Sequence, residues 1–162
     1  MIRSLLTAVF LCSALSAVAQ STPNADYTDM WWNPNESGWG ISFMQSKLGN
    51  QQAYATWYTY DPRETEPATQ QHKPLWIVMT GGTWTSPTTI TGRAYVLNGT
   101  PYFQSGTNRA VTDVGTFTLS FSSFSNGTFS YNIAPPAGLP SSDPAYNLPA
   151  MSGSRSITRF SF

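Results

Sequence analysis

Thr116-Phe117-Thr118-Leu119-Ser120-Phe121-Ser122 runs into a short polar gap and then into Asn126-Gly127-Thr128-Phe129-Ser130-Tyr131-Asn132-Ile133. Phe117, Leu119 and Phe121 recur at every second position, Phe129, Tyr131 and Ile133 do the same, and Thr, Ser or Asn fills the places between. Period-two alternation puts the apolar side chains on one face of an extended chain and the polar ones on the other. These are therefore two half-buried strands. Asn-Gly accepts the positive φ angles of a tight hairpin, so the pattern predicts a β-hairpin turning at Asn126-Gly127.

The same signal continues outward from this hairpin. Thr88 to Leu97 reads as a strand that closes at Asn98-Gly99, a second hairpin dipeptide. Leu75 to Met79 opens another apolar run, which Gly81-Gly82 bends or bulges before Trp84. Trp39, Ile41 and Phe43 alternate with Gly40, Ser42 and Met44; Leu48-Gly49-Asn50 makes a turn, and Ala53 to Asp61 completes a hairpin rich in Tyr, Thr and Trp. A polar, Pro-containing loop joins Asp61 to Pro74, and a Pro-, Ser- and Ala-rich loop runs from Ala134 to Gly153 before a final strand-like segment from Arg155 to Phe162. No amphipathic helix interrupts the series. The predicted class is all-β, an antiparallel meander of seven or eight strands. Such a sheet must hide its edges, by closing as a barrel or, alternatively, by folding into a β-sandwich.

Composition narrows the functional classes. Charged residues are only 10% of 162, hydrophobic ones are 40%, and eight basic residues balance eight acidic ones. That balance argues against intrinsic disorder, a coiled coil, a nucleic-acid partner and a polybasic membrane patch. At the N-terminus, Arg3 precedes a largely apolar run from Leu5 to Leu15 and then Ala17-Val18-Ala19. This is the pattern of a secretory signal peptide over residues 1–19, cleaved after Ala19. The run is too short to span a bilayer, so no membrane insertion is expected, and Phe10-Leu11 ahead of Cys12 does not fit a lipobox. The expected organisation is a signal peptide, a polar leader over 20–30 and one β domain over 31–162, secreted or periplasmic. Cys12 is the only cysteine and leaves with the signal, so the mature chain has no thiol for catalysis, metal binding or disulfides.

Several ordered strings carry a family resemblance. Trp31-Trp32-Asn33-Pro34-Asn35-Glu36-Ser37-Gly38-Trp39-Gly40 is followed by Ala55-Thr56-Trp57-Tyr58-Thr59-Tyr60-Asp61, by Pro74-Leu75-Trp76-Ile77-Val78-Met79, by Thr91-Gly92-Arg93 and by Ile157-Thr158-Arg159. In these motifs the chain resembles an uncharacterised β-domain family of secreted proteobacterial proteins. The resemblance implies secretion and a β domain over nearly the whole mature chain, but no catalytic residue and no substrate. The longer loops between Asp61 and Pro74 and between Ile133 and Ser154 depart from the family pattern, which suggests segments that vary without harm to the core. The layout is also similar, by analogy, to calycins, which pack an early Trp against an Arg on a late strand. That analogy implies a structural cluster of Glu36, Trp39 and Arg159.

Little in the sequence points to catalysis. His72 is the only histidine, sits in the polar string Gln70-Gln71-His72-Lys73-Pro74, and has no Gly-x-Ser-x-Gly elbow to serve. One His and no Cys cannot make an ordinary zinc site, and Asp61, Glu64 and Glu66 lack a Gly-centred calcium loop, so no metal or other cofactor is expected. Among Asp29, Glu36, Asp61, Glu64, Glu66 and Asp113, only Glu36 has an informative context, a constrained corner before Gly38-Trp39-Gly40. Asn35, Asn98 and Asn126 each begin an Asn-x-Ser/Thr triplet and read as turn residues.

The aromatics are more telling. All six Trp fall in the first half of the domain, joined by Tyr54, Tyr58, Tyr60 and Tyr95. Alternation places Trp57 opposite Tyr54, Tyr58 and Tyr60, and either set can fill a barrel interior. Indole and phenol donors are costly to bury unpaired, so a surplus of them predicts a wet groove or pocket. The expected contacts come from Trp57, Tyr58, Tyr60, Trp76 and Trp84, in a non-catalytic module for a glycan or small amphipathic molecule. Two alternatives stand beside it: a small extracellular polymer hydrolase using carboxylates including Glu36, and a protein-protein or inhibitor domain.

Overall fold

A computed structural model describes residues 20–48, 52–63, 72–106 and 109–161. The expected signal peptide, Glu64 and Glu66 lie outside the described residues. Eight strands are present among them: β1 Asp29–Asn33, β2 Glu36–Gln45, β3 Ala53–Tyr60, β4 Pro74–Ser86, β5 Thr89–Leu97, β6 Val111–Phe121, β7 Asn126–Ile133 and β8 Met151–Arg159. Each pairs antiparallel with the next, and β8 returns to β1 through Trp31 opposite Arg159. The sheet is a closed barrel, not a sandwich, and closure leaves no strand edge unpaired.

The interior follows the alternation. Phe117, Leu119, Phe121, Phe129 and Ile133 are buried, whereas Thr116, Thr118, Ser120, Thr128 and Ser130 are only partly so. On β3 it is Ala53, Ala55 and Trp57 that face inward, while Tyr54, Tyr58 and Tyr60 stand outside. The register explains the choice: Ala55 lies between Phe43 and Met79, so a small side chain sits where two large inward ones already fill the lumen. Gly81-Gly82 bulges β4 as expected, with the register against β5 shifting between Thr80 and Thr83.

Two turns are displaced from their expected places. Asn98-Gly99 does not form a tight hairpin, because β5 ends at Leu97 and β6 begins only at Val111. Asn98 instead closes the base of that excursion, donating from its backbone N–H to the Ala110 carbonyl (3.1 Å) and accepting the Ala110 N–H on its side-chain oxygen (2.8 Å). Asn126-Gly127 lies within β7, and the chain reverses over Ser122 to Ser125, where Ser123 Oγ accepts the Asn126 N–H at 3.0 Å. Gly127 is needed for closeness rather than for a turn. A Cβ there would come within 2.7 Å of the Ser120 carbonyl oxygen on β6.

The two ends of the barrel are finished differently. At the end where β1 starts, the polar leader is a strap: Ser21 N–H donates to the Trp84 carbonyl (2.9 Å) and Asn24 N–H to that of Pro87 (3.0 Å). The strap drives Tyr27 into the lumen, stacked on Phe121 with ring centroids 4.0 Å apart, among Trp31, Phe43 and Trp84. At the opposite end the loop after β7 folds over part of the opening and buries Ala145 and Leu148. Arg63 fastens it, donating to the Pro144 and Tyr146 carbonyls, each at 2.9 Å, while also gripping Asp61 at 2.6 Å. Arg63, at the start of the first long loop, thus ties that segment to the second, whose Ala145 and Leu148 join the core.

Candidate functional site

Beside that loop the lumen opens into a cavity of about 270 Å³. Its aromatic wall is made by Trp39 on β2, Trp57 on β3, and Phe129 and Tyr131 on β7, with Tyr60 and Met151 at the rim. Trp57 lies against both β7 rings, 5.1 Å from Phe129 and 4.7 Å from Tyr131 between centroids. Trp57 is only 6% exposed, and its indole N–H is buried with no hydrogen-bond partner. A buried unpaired donor costs about 1–3 kcal/mol unless something accepts from it.

The charged part of the wall grows out of the β1–β2 corner. Asn33 organises it from both ends of its side chain: Oδ1 accepts the Asn35 N–H at 2.9 Å, and Nδ2 donates to Glu36 Oε1 at 3.0 Å. Glu36 Oε2 accepts the Trp39 indole N–H at 3.1 Å and lies 3.4 Å from Arg155 Nε on β8. Gly38 completes the corner with φ 91°, a conformation that L side chains rarely adopt, and a Cβ there would meet the Tyr60 ring at 3.4 Å. The motif around Glu36 thus encodes one rigid corner that holds an indole and a guanidinium at the mouth.

Arg155, not Arg159, meets Glu36, which in turn holds Trp39. Residues 151, 153, 155, 157 and 159 share the inward face of β8 by alternation, so both arginines point into the barrel on either side of buried Ile157. Arg159 falls at the strapped end. There it pairs with Asp29 at 3.1 Å, donates to the Phe124 and Asp26 carbonyls, and lies over the Trp31 ring at 5.1 Å and the Phe124 ring at 3.8 Å. A late Arg does pack on an early Trp, but that Trp is Trp31.

The expected aromatic pool divides into three. Trp57 lines the cavity and Tyr60 its rim. Tyr58 and Trp76 stand on the outer face, 37% and 61% exposed, with rings edge to face at 5.8 Å. They share a shallow groove with Gly38, Tyr60 and Pro74. Trp84 is 1% exposed at the strapped end and belongs to neither surface. The sequence reading missed Phe129, Tyr131, Met151 and Arg155. For Arg155 a signal existed: a charged residue on the inward register of a barrel strand needs either a partner or a ligand.

The remaining titratable groups form outlying pairs. Burial alone would raise the Asp61 carboxyl, but hydrogen bonds from the Arg63 side chain and backbone, with the charges of Arg63 and Lys73, outweigh it and hold that carboxyl below its ordinary value. Asp113 is lowered chiefly by its hydrogen bonds from Arg93 on the outer surface. His72 is exposed, its ring 6.5 Å from that of Tyr60. No group of three or more His, Cys, Asp or Glu able to hold a metal occurs among the described residues. Compared with family models, curated proteins and solved structures, the chain matches none.

Proposed function

We propose that this protein is a secreted or periplasmic binding module that holds a small amphipathic molecule in the mouth of its barrel. The observation that carries the reading is the cavity wall itself, four aromatic side chains beside a charged pair. Ligand sites are mostly apolar hollows with a few fixed polar groups, and this one is at the small end of their range. The opposite end is sealed by Tyr27 and its neighbours, which favours a compact ligand over a threaded polymer. The signal-like residues 1–19 support export. For the hydrolase alternative two carboxylates are needed, and Glu36 is the only one among the described residues lining the cavity.

A second reading rests on a separate feature. The outer Tyr58, Tyr60 and Trp76 present flat rings with polar tips, a surface suited to stacking against sugar faces. Calorimetric and Trp-fluorescence titrations of the mature chain with small amphipathic compounds and oligosaccharides test both. A mouth ligand is expected to lose about tenfold in affinity in Tyr131→Ala and to ignore Trp76→Ala. Saturable binding that depends on Trp76 and not on Tyr131 moves the site to the outer face, and a panel without saturable binding overturns the reading.

A further inference from the structure

We infer that the molecule held at the mouth is a small apolar carboxylic acid, its carboxylate on Arg155 and its body against Trp57, Phe129 and Tyr131. The inference rests on the small-ligand reading above and adds the chemical class. Its basis is an inventory of what the wall still offers. Both oxygens of Glu36 are engaged, Oε1 by Asn33 and Oε2 by Trp39 and Arg155. The cavity's one charged acceptor is therefore already in use by the corner that builds it. Donors remain. Arg155 turns Nε toward Glu36 and gives Nη1 to the Ser154 carbonyl at 3.1 Å, leaving Nη2 without a protein partner among the described residues. The Trp57 indole N–H is also unmet, but its nitrogen, like that of Trp84, is sealed inside the core, so Arg155 carries the inventory.

A mouth whose one carboxylate is already paired, and whose guanidinium keeps a free donor group, favours a ligand that accepts. Glu36 acts as a positioning residue: by holding the Nε side, it orients the planar guanidinium and leaves Nη2 to take a carboxylate oxygen. The aromatic wall opposite asks for an apolar body. About 270 Å³ accommodates about a dozen non-hydrogen atoms at the packing density of protein interiors. Glu36 also carries a charge of the same sign as the ligand's, and this gives the assignment a readout that a merely structural ion pair does not have.

Three probes of matched shape separate the possibilities: 3-phenylpropanoate, 3-phenylpropan-1-ol and 3-phenylpropylamine, titrated calorimetrically against the mature chain at pH 7. The carboxylate is expected to bind at least tenfold tighter than the alcohol, and the amine weakest of all. Arg155→Met should abolish that preference while leaving the alcohol's affinity within about twofold, and Arg155→Lys, with charge but no fork, should restore only part of it. Glu36→Gln should tighten the carboxylate about threefold, because a repelling charge is removed. Thermal melts establish that each variant is folded. If the alcohol or amine binds as well as the carboxylate, or the preference survives Arg155→Met, the acid assignment is overturned and the mouth remains a site for some other small molecule. Failure of all three probes also overturns it; the broader reading falls only if the wider panel of small amphipathic compounds fails too.

Discussion

Arg155 and Arg159 stand on the same face of the same strand, yet they occupy two unlike ends of the barrel. Arg159 has a side chain 14% exposed and every part of it is used: an ion pair with Asp29, hydrogen bonds to two carbonyls and two aromatic faces. The side chain of Arg155 is 46% exposed, with Nε toward Glu36, Nη1 on the Ser154 carbonyl and Nη2 without a protein partner among the described residues. Around the first, Tyr27, Trp31, Phe43, Trp84 and Phe121 pack without an opening; around the second, Trp39, Trp57, Phe129 and Tyr131 leave one. Similar side chains thus build a seal at one end and an open cavity at the other. What differs is the covering segment, since the strap supplies Tyr27 to fill the lumen, whereas the loop fastened by Arg63 stops short of the mouth.

The comparison breaks most readily at the sealed end. Phe121→Ala removes a ring that touches Tyr27, Trp31, Phe43 and Trp84, and should cost about 4 kcal/mol in denaturant unfolding. Tyr131→Ala, at the open mouth, should cost less than half as much. Equal losses would mean that the mouth is as much a part of the packed core as the seal.

The arginines sharpen the contrast. Arg159→Ala should destabilise by about 3 kcal/mol, chiefly because Asp29 loses its partner in a mostly covered site. For Arg155→Met the expected loss is under about 1 kcal/mol, as for other half-exposed pairs. Matched chemical-denaturation curves decide it, and a larger effect at Arg155 would make that pair a structural device.

A comparably small effect concerns the latch between the two loops at the open end. Because the folded Asp61 carboxyl titrates below its ordinary value of 3.8, its pairing with Arg63 contributes stability that is fully present above that value. This contribution fades as pH falls through the depressed value. Asp61→Asn should therefore lower stability by about 1 kcal/mol at pH 7, with the gap to the parent chain closing as the pH drops below about 4. A gap that stays constant with pH would show that the carboxylate charge is not what holds the latch.

Much of this barrel was legible from local pattern. Phe117, Leu119, Phe121, Phe129 and Ile133 announced their face because alternation needs no knowledge of distant chain, and the bulge at Gly81-Gly82 followed from glycine in a strand. The Asn-Gly dipeptides misled for a physical reason. Asn98 caps the base of a long excursion, and Gly127 allows β7 to approach β6, so the same residue types served demands other than a tight turn. The leader was opaque because its role depends on Trp84 and Pro87, far along the chain.

The sequence by itself determined most of the strands, the inward faces of β6 and β7 and the constrained corner at Glu36, since each arises from side chains a few residues apart. Only the tertiary structure decided which ring of the aromatic surplus met which surface. Barrel closure placed β8 beside β1, and the register of that closure assigned Arg155 to the mouth and Arg159 to the seal. Four residues of strand at about 3.3 Å each separate the two positions, so a small difference in register changes the partners of both side chains. Alternation fixes which face a residue takes, but only long-range pairing fixes how far along the barrel it lies. The position of the candidate site was therefore set by closure.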